Sequence, residues 1–201
     1  MGHELGKYRS KRDFGTTTEP RGTRRARRRG RQRRFVLHKH DASTLHYDLR
    51  LEIEGTLKSW ALPKGPSIDP ADRRLAVPTE DHPLEYVDFE GVIPEGEYGA
   101  GTVLVWDRGS CELEAEGDAE GDVDAARQLR RGRLDLWLEG VKIRGGYALV
   151  RMGRSADGQW LLVKRSDEGA DRRRKPLKKQ PRSVRSGRDL NAIAGRTGES
   201  R

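Results

Sequence analysis

The sequence predicts a mainly β protein, folded as a barrel or a sandwich, with basic arms on both sides of the folded domain. Between residues 34 and 166, short segments alternate apolar with polar residues and are broken by Gly, Pro and Asp. This pattern is typical of many short strands joined by turns. A single segment has a helical pattern, and the positive charge is concentrated at the two ends of the chain.

The elements follow from these patterns in chain order. The alternating segments predict strands over 34–40, 45–54, 57–62, 74–78, 102–107, 110–116, 133–138, 146–152 and 159–166. Glu54-Gly55 is expected to turn the second strand into the third as a hairpin, and Asp107–Gly109 to join two further strands. Acidic residues at its start, basic residues at its end and a following glycine predict a helix over 122–131. The glycine-rich segment 91–101 predicts a structured loop.

The charge distribution predicts three regions. Residues 1–34 carry 13 Lys and Arg against 3 Asp and Glu, and residues 172–201 carry 11 against 2, whereas residues 35–171 carry 17 against 27. We therefore expect a basic N-terminal arm over 1–33, a barrel domain over 34–168 and a basic C-terminal tail over 169–201. Blocks of like charge usually stay disordered and act as interaction tails. Arginines neutralise nucleic-acid phosphates without sequence preference, and the predicted contacts are Arg24, Arg25, Arg27, Arg28, Arg29 and Arg31.

Cysteine usage and hydropathy predict the compartment. The single cysteine, Cys111, excludes an internal disulfide and favours a reducing environment. No apolar run approaches the roughly 20 residues that span a membrane, and the basic N-terminus lacks the apolar stretch of a signal peptide. The sequence thus predicts a soluble, monomeric protein of the cytoplasm, associated with the nucleoid.

Histidines and charged residues cluster on two adjacent predicted strands. Side chains alternate between the faces of a strand, so His38 and His40 share one face of the first strand, and His46, Asp48 and Arg50 share one face of the second. Two imidazoles and a carboxylate suit Mn, Fe or Zn, and the ligand types do not choose among them. The alternative is a solvated polar face, which antiparallel sheets often have.

Other residues of the same region can contact a phosphate. Arg50 can bind one through its guanidinium fork beside the metal, Lys64 lies on a loop between two prolines, and Arg74 opens a strand. His82 can donate a proton or bind phosphate as imidazolium, and Tyr86 can bond a phosphate or pack. Solvated or packed side chains are the alternative for each. The sequence contains no P-loop, Rossmann or G-x-S-x-G motif, which argues against a nucleoside triphosphatase or a serine hydrolase.

In its motifs the chain resembles the 3′-phosphoesterase module of bacterial DNA ligase D, of which stand-alone forms exist. The resemblance covers roughly residues 7–166 and is carried by the runs Phe35–Leu51, Trp60–Pro66, Arg74–Val77, Thr79–Tyr86 and Glu90–Trp106. It implies a compact closed β-barrel with one or two short helices. It also implies a Mn²⁺-dependent site on a crescent groove, with other divalent transition metals as alternatives.

The resemblance assigns roles to particular residues. The implied metal ligands are His40, His46 and Asp48. Residues implied for phosphate binding or transition-state stabilisation are Arg50, Lys64, Arg74, His82 and Tyr86. Further residues implied to be needed for activity are Arg12, which also binds phosphate, Asp13, Glu19 and Glu80. The chain departs from the pattern at His38, where a glutamine is expected. His38 is either neutral for function or adds a nitrogen near the metal.

The implied activity is the healing of DNA 3′ ends in non-homologous end joining. A 3′-terminal ribonucleoside is removed from a primer–template, leaving a 3′-phosphate, and a phosphomonoesterase step then leaves a 3′-OH. Water is the expected nucleophile, and the sequence indicates no general base. A separate DNA ligase, a polymerase and an end-binding factor are the expected partners. Alternatives are a non-catalytic nucleic-acid-binding barrel that recruits repair partners, a cupin-like iron oxygenase and a ribonuclease that cleaves internally.

Overall fold

The computed structural model describes residues 5–22, 33–114, 121–153 and 158–195, without the side chains of 121–124. Within these residues, nine antiparallel strands form one sheet, and pairing of the first strand with the sixth closes eight of them into a barrel. The strands are β1 Arg33–Asp41, β2 Leu45–Ile53, β3 Thr56–Leu62, β4 Arg74–Pro78, β5 Gly91–Ile93, β6 Gly101–Leu113, β7 Arg133–Gly140, β8 Arg144–Arg151 and β9 Trp160–Lys164. The predicted mainly β, closed-barrel fold is confirmed.

Helices in the described part of the chain are few and short. They are α1 Gly6–Ser10, α2 Gly121–Arg131, α3 Pro176–Lys179, α4 Leu190–Ile193 and a 3₁₀ helix over Leu84–Asp88. Helix α2 confirms the predicted helix to within one residue. Among the described residues, no helix is both long and apolar enough to cross a membrane.

The hairpin of β2 and β3 forms where it was predicted. Glu54 and Gly55 both have positive φ, 50° and 81°, as a two-residue hairpin turn of the right twist requires. The turn fixes the register of the two strands, and this register places Arg50 opposite Ser59. The polar face of β2 is thereby continued onto β3.

Two predicted boundaries are wrong. The expected turn at Asp107–Gly109 lies inside the continuous strand β6, which instead has a bulge at Trp106 in its pairing with β1. The Asp107 carboxylate accepts hydrogen bonds from the backbone amides of three residues that include Ile143, so it braces the turn between β7 and β8. The predicted loop 91–101 begins with the short strand β5.

The barrel has apolar clusters on both sides of its wall. The interior is filled by side chains such as Leu49, Trp106 and Leu136. A second cluster covers the outer face of β1 and β6 and consists of Tyr8, Val36, Leu57, Leu84, Tyr86, Val87, Phe89, Ile93, Val103 and Val105. Because this cluster includes residues of the N-terminal arm and of the 3₁₀ helix, both elements are held against the barrel wall.

The described parts of both arms differ from the prediction of disorder. In residues 5–22, the buried Tyr8 donates its hydroxyl to the Pro20 carbonyl at 2.7 Å. In residues 169–195, the Gln180 carbonyl accepts from the Trp106 indole at 2.8 Å, and the Val184 amide donates to the Val105 carbonyl at 2.9 Å. The reason is the burial of apolar surface: side chains of these basic segments, such as Tyr8, Leu177 and Val184, pack against the two apolar clusters of the barrel.

The arginines predicted to bind nucleic acid fall outside this description. Arg24, Arg25, Arg27, Arg28, Arg29 and Arg31 all lie between residues 23 and 32, beyond the described residues. Their role remains a prediction.

Candidate metal and phosphate site

Three potential metal ligands meet on the outer face of the barrel. His40 on β1 lies directly opposite His46 on β2, and Asp48 follows two residues later on the same face. One ligand atom from each residue lies within 4.8 Å of the others. His40 Nδ1 is 3.8 Å and His46 Nε2 is 3.7 Å from the Asp48 carboxylate. The three residues therefore could hold a metal ion.

Backbone carbonyls orient both imidazoles. His40 Nε2 lies 2.9 Å from the Gly99 carbonyl, and His46 Nδ1 lies 2.8 Å from the Thr44 carbonyl. A carbonyl can only accept, so these nitrogens carry protons, and the other nitrogen of each ring faces Asp48. Histidine ligands in metal sites characteristically donate their second N–H in this way. The donor set thus fits a divalent transition metal.

Arg50 connects this metal group to a second set of polar side chains. Its side chain is 5% exposed, and its guanidinium donates to Asp48 Oδ2 at 3.0 Å, His38 Nδ1 at 3.2 Å and Ser59 Oγ at 2.9 Å. A fourth contact, 2.8 Å long, joins it to His82 Nδ1. Bonds in several directions fix the plane of the guanidinium, and they place a permanent positive charge beside the metal group.

Burial and Arg50 together set the protonation of the neighbouring groups. Burial opposes ionisation of Asp48, but the Arg50 guanidinium and the two facing histidines outweigh it and hold the pKa of this carboxyl well below its usual range. Burial, reinforced by Arg50, lowers the pKa of His38 to about 3. The same two causes hold the pKa of His82 well below its ordinary value. Both imidazoles are neutral at pH 7 as a result.

The N-terminal arm completes the site with an ion-pair network. Arg12 binds Glu19 at 2.9 Å and Glu80 at 3.1 Å, and its guanidinium lies 3.4 Å from His82 Nε2. Glu19 also accepts the Tyr86 hydroxyl at 2.9 Å. Four residues implied by the resemblance, two from the arm, thereby converge with His82 on the side of the cluster away from the metal group.

Comparison with known proteins identifies this arrangement. A family model described as the DNA ligase D 3′-phosphoesterase domain matches residues 38–151, which include the metal group, Arg50 and His82. The chain belongs to this family. The recognition made from sequence motifs is therefore confirmed.

Three relatives are similar over most of this chain. The first two are named multifunctional non-homologous end joining protein LigD. The third is named multifunctional non-homologous end joining DNA repair protein LigD. The protein from Pseudomonas aeruginosa is 49% identical over 190 residues, 92% of this chain. Those from Mycolicibacterium smegmatis and Mycobacterium tuberculosis are 42% and 43% identical over 82% and 73% of it. The chain spans 22%, 21% and 18% of the length of these relatives, about a fifth.

Three residues that the family resemblance implied lie outside the contacts of the cluster. Asp13 is exposed, and its carboxylate accepts the Gly15 amide at 2.8 Å within the arm. Arg74 pairs with Asp72 at 2.6 Å, and Lys64 is exposed on the loop after β3. In the described part of the chain, none of the three is hydrogen-bonded to Arg50 or His82. Their roles in activity stay predictions.

Sequence reasoning missed several members of the site. Ser59 could have been found, because the predicted turn at Glu54-Gly55 already places it opposite Arg50. Tyr8, whose ring lies 3.8 Å under the Arg12 guanidinium, gave no signal, since the arm has no strand periodicity that would indicate its register. The Gly99 carbonyl was equally hidden, because any residue supplies a carbonyl.

Proposed function

We propose that this chain is a Mn²⁺-dependent hydrolase that heals DNA 3′ ends in non-homologous end joining. It removes a 3′-terminal ribonucleoside from a primer–template and then the remaining 3′-phosphate. The main support is that Asp48 belongs to both halves of the site, since its carboxylate faces the two histidines and also accepts from Arg50. Family membership and the names of the relatives support the setting. The healed 3′-OH suits a polymerase or a ligase, which are the proposed partners.

Two hydrolyses complete the reaction. In the first, a water oxygen bonds to phosphorus while the bond from phosphorus to O5′ of the terminal ribonucleoside breaks, and that oxygen takes up a proton. In the second, water bonds to the phosphorus of the 3′-phosphate and the bond to O3′ breaks, releasing inorganic phosphate. His40, His46 and Asp48 would hold the metal, which when bound supplies Lewis-acid polarisation of a phosphoryl oxygen.

Arg50 would hold the phosphate through a donor that the protein leaves open. A guanidinium has five N–H groups; His38, Ser59 and Asp48 accept three of them, and the nitrogen that binds Ser59 also faces His82 Nδ1. One hydrogen on the terminal nitrogen facing Asp48 can therefore bond a non-bridging oxygen. Because the other bonds fix the group in advance, little reorganisation is needed as charge develops.

His82 is suited to a proton transfer that depends on substrate. Its neutral state results from burial and from the guanidinium groups of Arg50 and Arg12. A phosphate placed beside these two cations adds negative charge, which raises the pKa of the ring and favours the imidazolium. His82 can then protonate the leaving oxygen.

The test uses a 5′-labelled primer–template ending in one ribonucleotide, with Mn²⁺ or with EDTA. Wild type should lose the nucleoside and then the phosphate only with metal, and His40→Ala and Asp48→Asn should do neither. Asp135→Asn is the matched control, because Asp135 lies on β7 and pairs with Arg133. Failure to cleave while still binding duplex would favour the non-catalytic binding module, and internal cuts would favour a ribonuclease.

A further inference from the structure

Tyr98 is a large exposed aromatic side chain beside the metal group. It lies between β5 and β6 and is 49% exposed. The next residue, Gly99, supplies the carbonyl that orients His40, and a Cβ at Gly99 would be only 3.8 Å from the His40 ring. Tyr98 is therefore one residue away from a direct contact with a metal-group histidine.

The backbone around Tyr98 is anchored on both sides. Gly99 is tied to His40 on one side. On the other, Glu97 accepts the Thr16 hydroxyl at 2.7 Å and the Asp13 amide at 3.2 Å, which ties the loop to the N-terminal arm. A half-exposed ring on a segment held at both neighbours is a pre-positioned surface, which keeps the entropic cost of binding low.

One face of the ring is already covered by a cation. Lys11 Nζ lies 4.0 Å from the ring centroid and also pairs with Glu80 at 3.1 Å. The Arg12 guanidinium lies 5.7 Å from the same centroid. Tyr98 nevertheless stays half-exposed, so ring area away from Lys11 remains open to a ligand.

The positions of Arg50 and His40 indicate which part of a DNA end would reach this face. Arg50 lies opposite Val36 on β1, whereas His40, which the Gly99 carbonyl orients, lies four residues further along that strand. At about 3.4 Å per residue, Val36 and His40 are roughly 14 Å apart. With the reacting phosphate held by Arg50, the nucleoside on the metal side of that phosphate extends toward Tyr98.

We propose that the open face of Tyr98 stacks on the base of the 3′-terminal ribonucleoside, which the first hydrolysis releases. The inference rests on the proposed function and deepens it by adding a subsite for the departing nucleoside. Stacking on an aromatic ring accepts any base, because every base has a π face. A subsite of this kind suits an enzyme that must process ends of any sequence.

The proposal separates the two hydrolyses. Tyr98→Ala should lower kcat/KM for removal of the terminal ribonucleoside by about 5- to 150-fold, mainly through KM, as expected for the loss of one base–aromatic stack. Tyr98→Phe should stay within about twofold of wild type because the ring is kept. Removal of a 3′-phosphate should be unchanged in both variants, because no nucleoside lies beyond the reacting phosphate.

The experiment measures three primer–template ends: a ribonucleotide, an abasic ribose and a 3′-phosphate. Met152→Ala is the control, since Met152 is 40% exposed at the end of β8. On the abasic end, wild type and Tyr98→Ala should be equal. Equal rates on the base-containing end, or an equal loss on all three ends, would overturn the stacking proposal. A wild type that cleaves none of the ends would refute the proposed function, and the subsite with it.

Discussion

Substitution of His38 separates a contact with Arg50 from a role as metal ligand; the sequence left open whether this residue is neutral for function or adds a nitrogen near the metal. His38 is fully buried, and its Nδ1 accepts from Arg50 Nε at 3.2 Å. It is not among the residues whose atoms converge in the metal group. The structure thus makes His38 a support for the guanidinium. His38→Gln can keep an acceptor for Arg50, whereas His38→Leu removes it.

The magnitude follows from the burial of Arg50. In His38→Leu, one N–H of a buried cation has no acceptor, which costs about 1–3 kcal/mol. We expect the free energy of unfolding to fall by about 2 kcal/mol, equivalent to a roughly 30-fold change in the folding equilibrium. In His38→Gln the free energy of unfolding should fall by less than about 1 kcal/mol, since the side-chain oxygen of glutamine replaces the ring nitrogen as acceptor.

Urea unfolding and Mn²⁺ titration calorimetry test this reasoning together. Both His38 variants should bind Mn²⁺ within about threefold of wild type, while His40→Gln should bind it at least tenfold more weakly, in line with the loss of a ligand. A tenfold loss of Mn²⁺ affinity in both His38 variants would make His38 a ligand. A His38→Leu protein as stable as wild type would show that the bond to Arg50 contributes nothing.

Outside the site, three changes test charges and arms. Asp167→Asn breaks the 2.5 Å pair with the buried Lys164 and should lower the free energy of unfolding by about 2 kcal/mol at pH 7. This loss is smaller than for a fully buried pair because the Asp167 side chain is 15% exposed. The pKa of Asp167 is lowered because its bonds to Lys164 and to backbone amides outweigh burial. Its contribution is therefore fully present above pH 3.8 and is lost as the pH falls through the lowered pKa of the folded state, so the difference in urea-unfolding stability between wild type and variant should narrow below pH 3.8; a constant gap would contradict this. Replacing the six predicted DNA-binding arginines with serine should flatten the salt dependence of duplex affinity, and an unchanged slope would exclude phosphate contacts there. Lys142→Met removes two bonds to the carbonyls of Gln180 and Arg182 and should speed tryptic cleavage of residues 169–195, with equal cleavage rates refuting that anchor.

The metal group was predictable because β1 and β2 have strict alternation and a short connection. Alternation places His46 and Asp48 on one face, and antiparallel pairing across a short turn brings His40 opposite His46. The turn at Glu54-Gly55 extends the same logic to Ser59. Local rules suffice where a hairpin fixes the register, because the hairpin converts sequence distance directly into spatial distance.

The remaining contacts, in the barrel and in the other half of the site, join distant segments, and no local pattern of the sequence specifies them. Asp107 was interpreted as a turn residue, yet it is buried and braces a distant turn through its carboxylate. Arg12 and Glu19 lie in a segment without strand pairing, and they reach Glu80 and Tyr86 because Tyr8 is buried against the outer wall of the barrel. Their resemblance to a family motif predicted that they matter, but only the packing explains how.

The N-terminal arm is needed to cover the site, because the packed interior of the barrel has no room for these polar groups. Leu49, Trp106 and their neighbours fill the interior, so the polar groups of the site lie on the outer wall. Without a cover on that wall, Arg50 and His82 would be exposed to water. Tyr8 and Tyr86 cover this wall, and the His82 ring packs edge-on against both at 5.0 and 4.7 Å between centroids. The low-polarity surroundings that keep His82 neutral are therefore supplied by the arm and the 3₁₀ helix. A barrel without the arm would keep its metal ligands and lose part of the burial that lowers the pKa of His82.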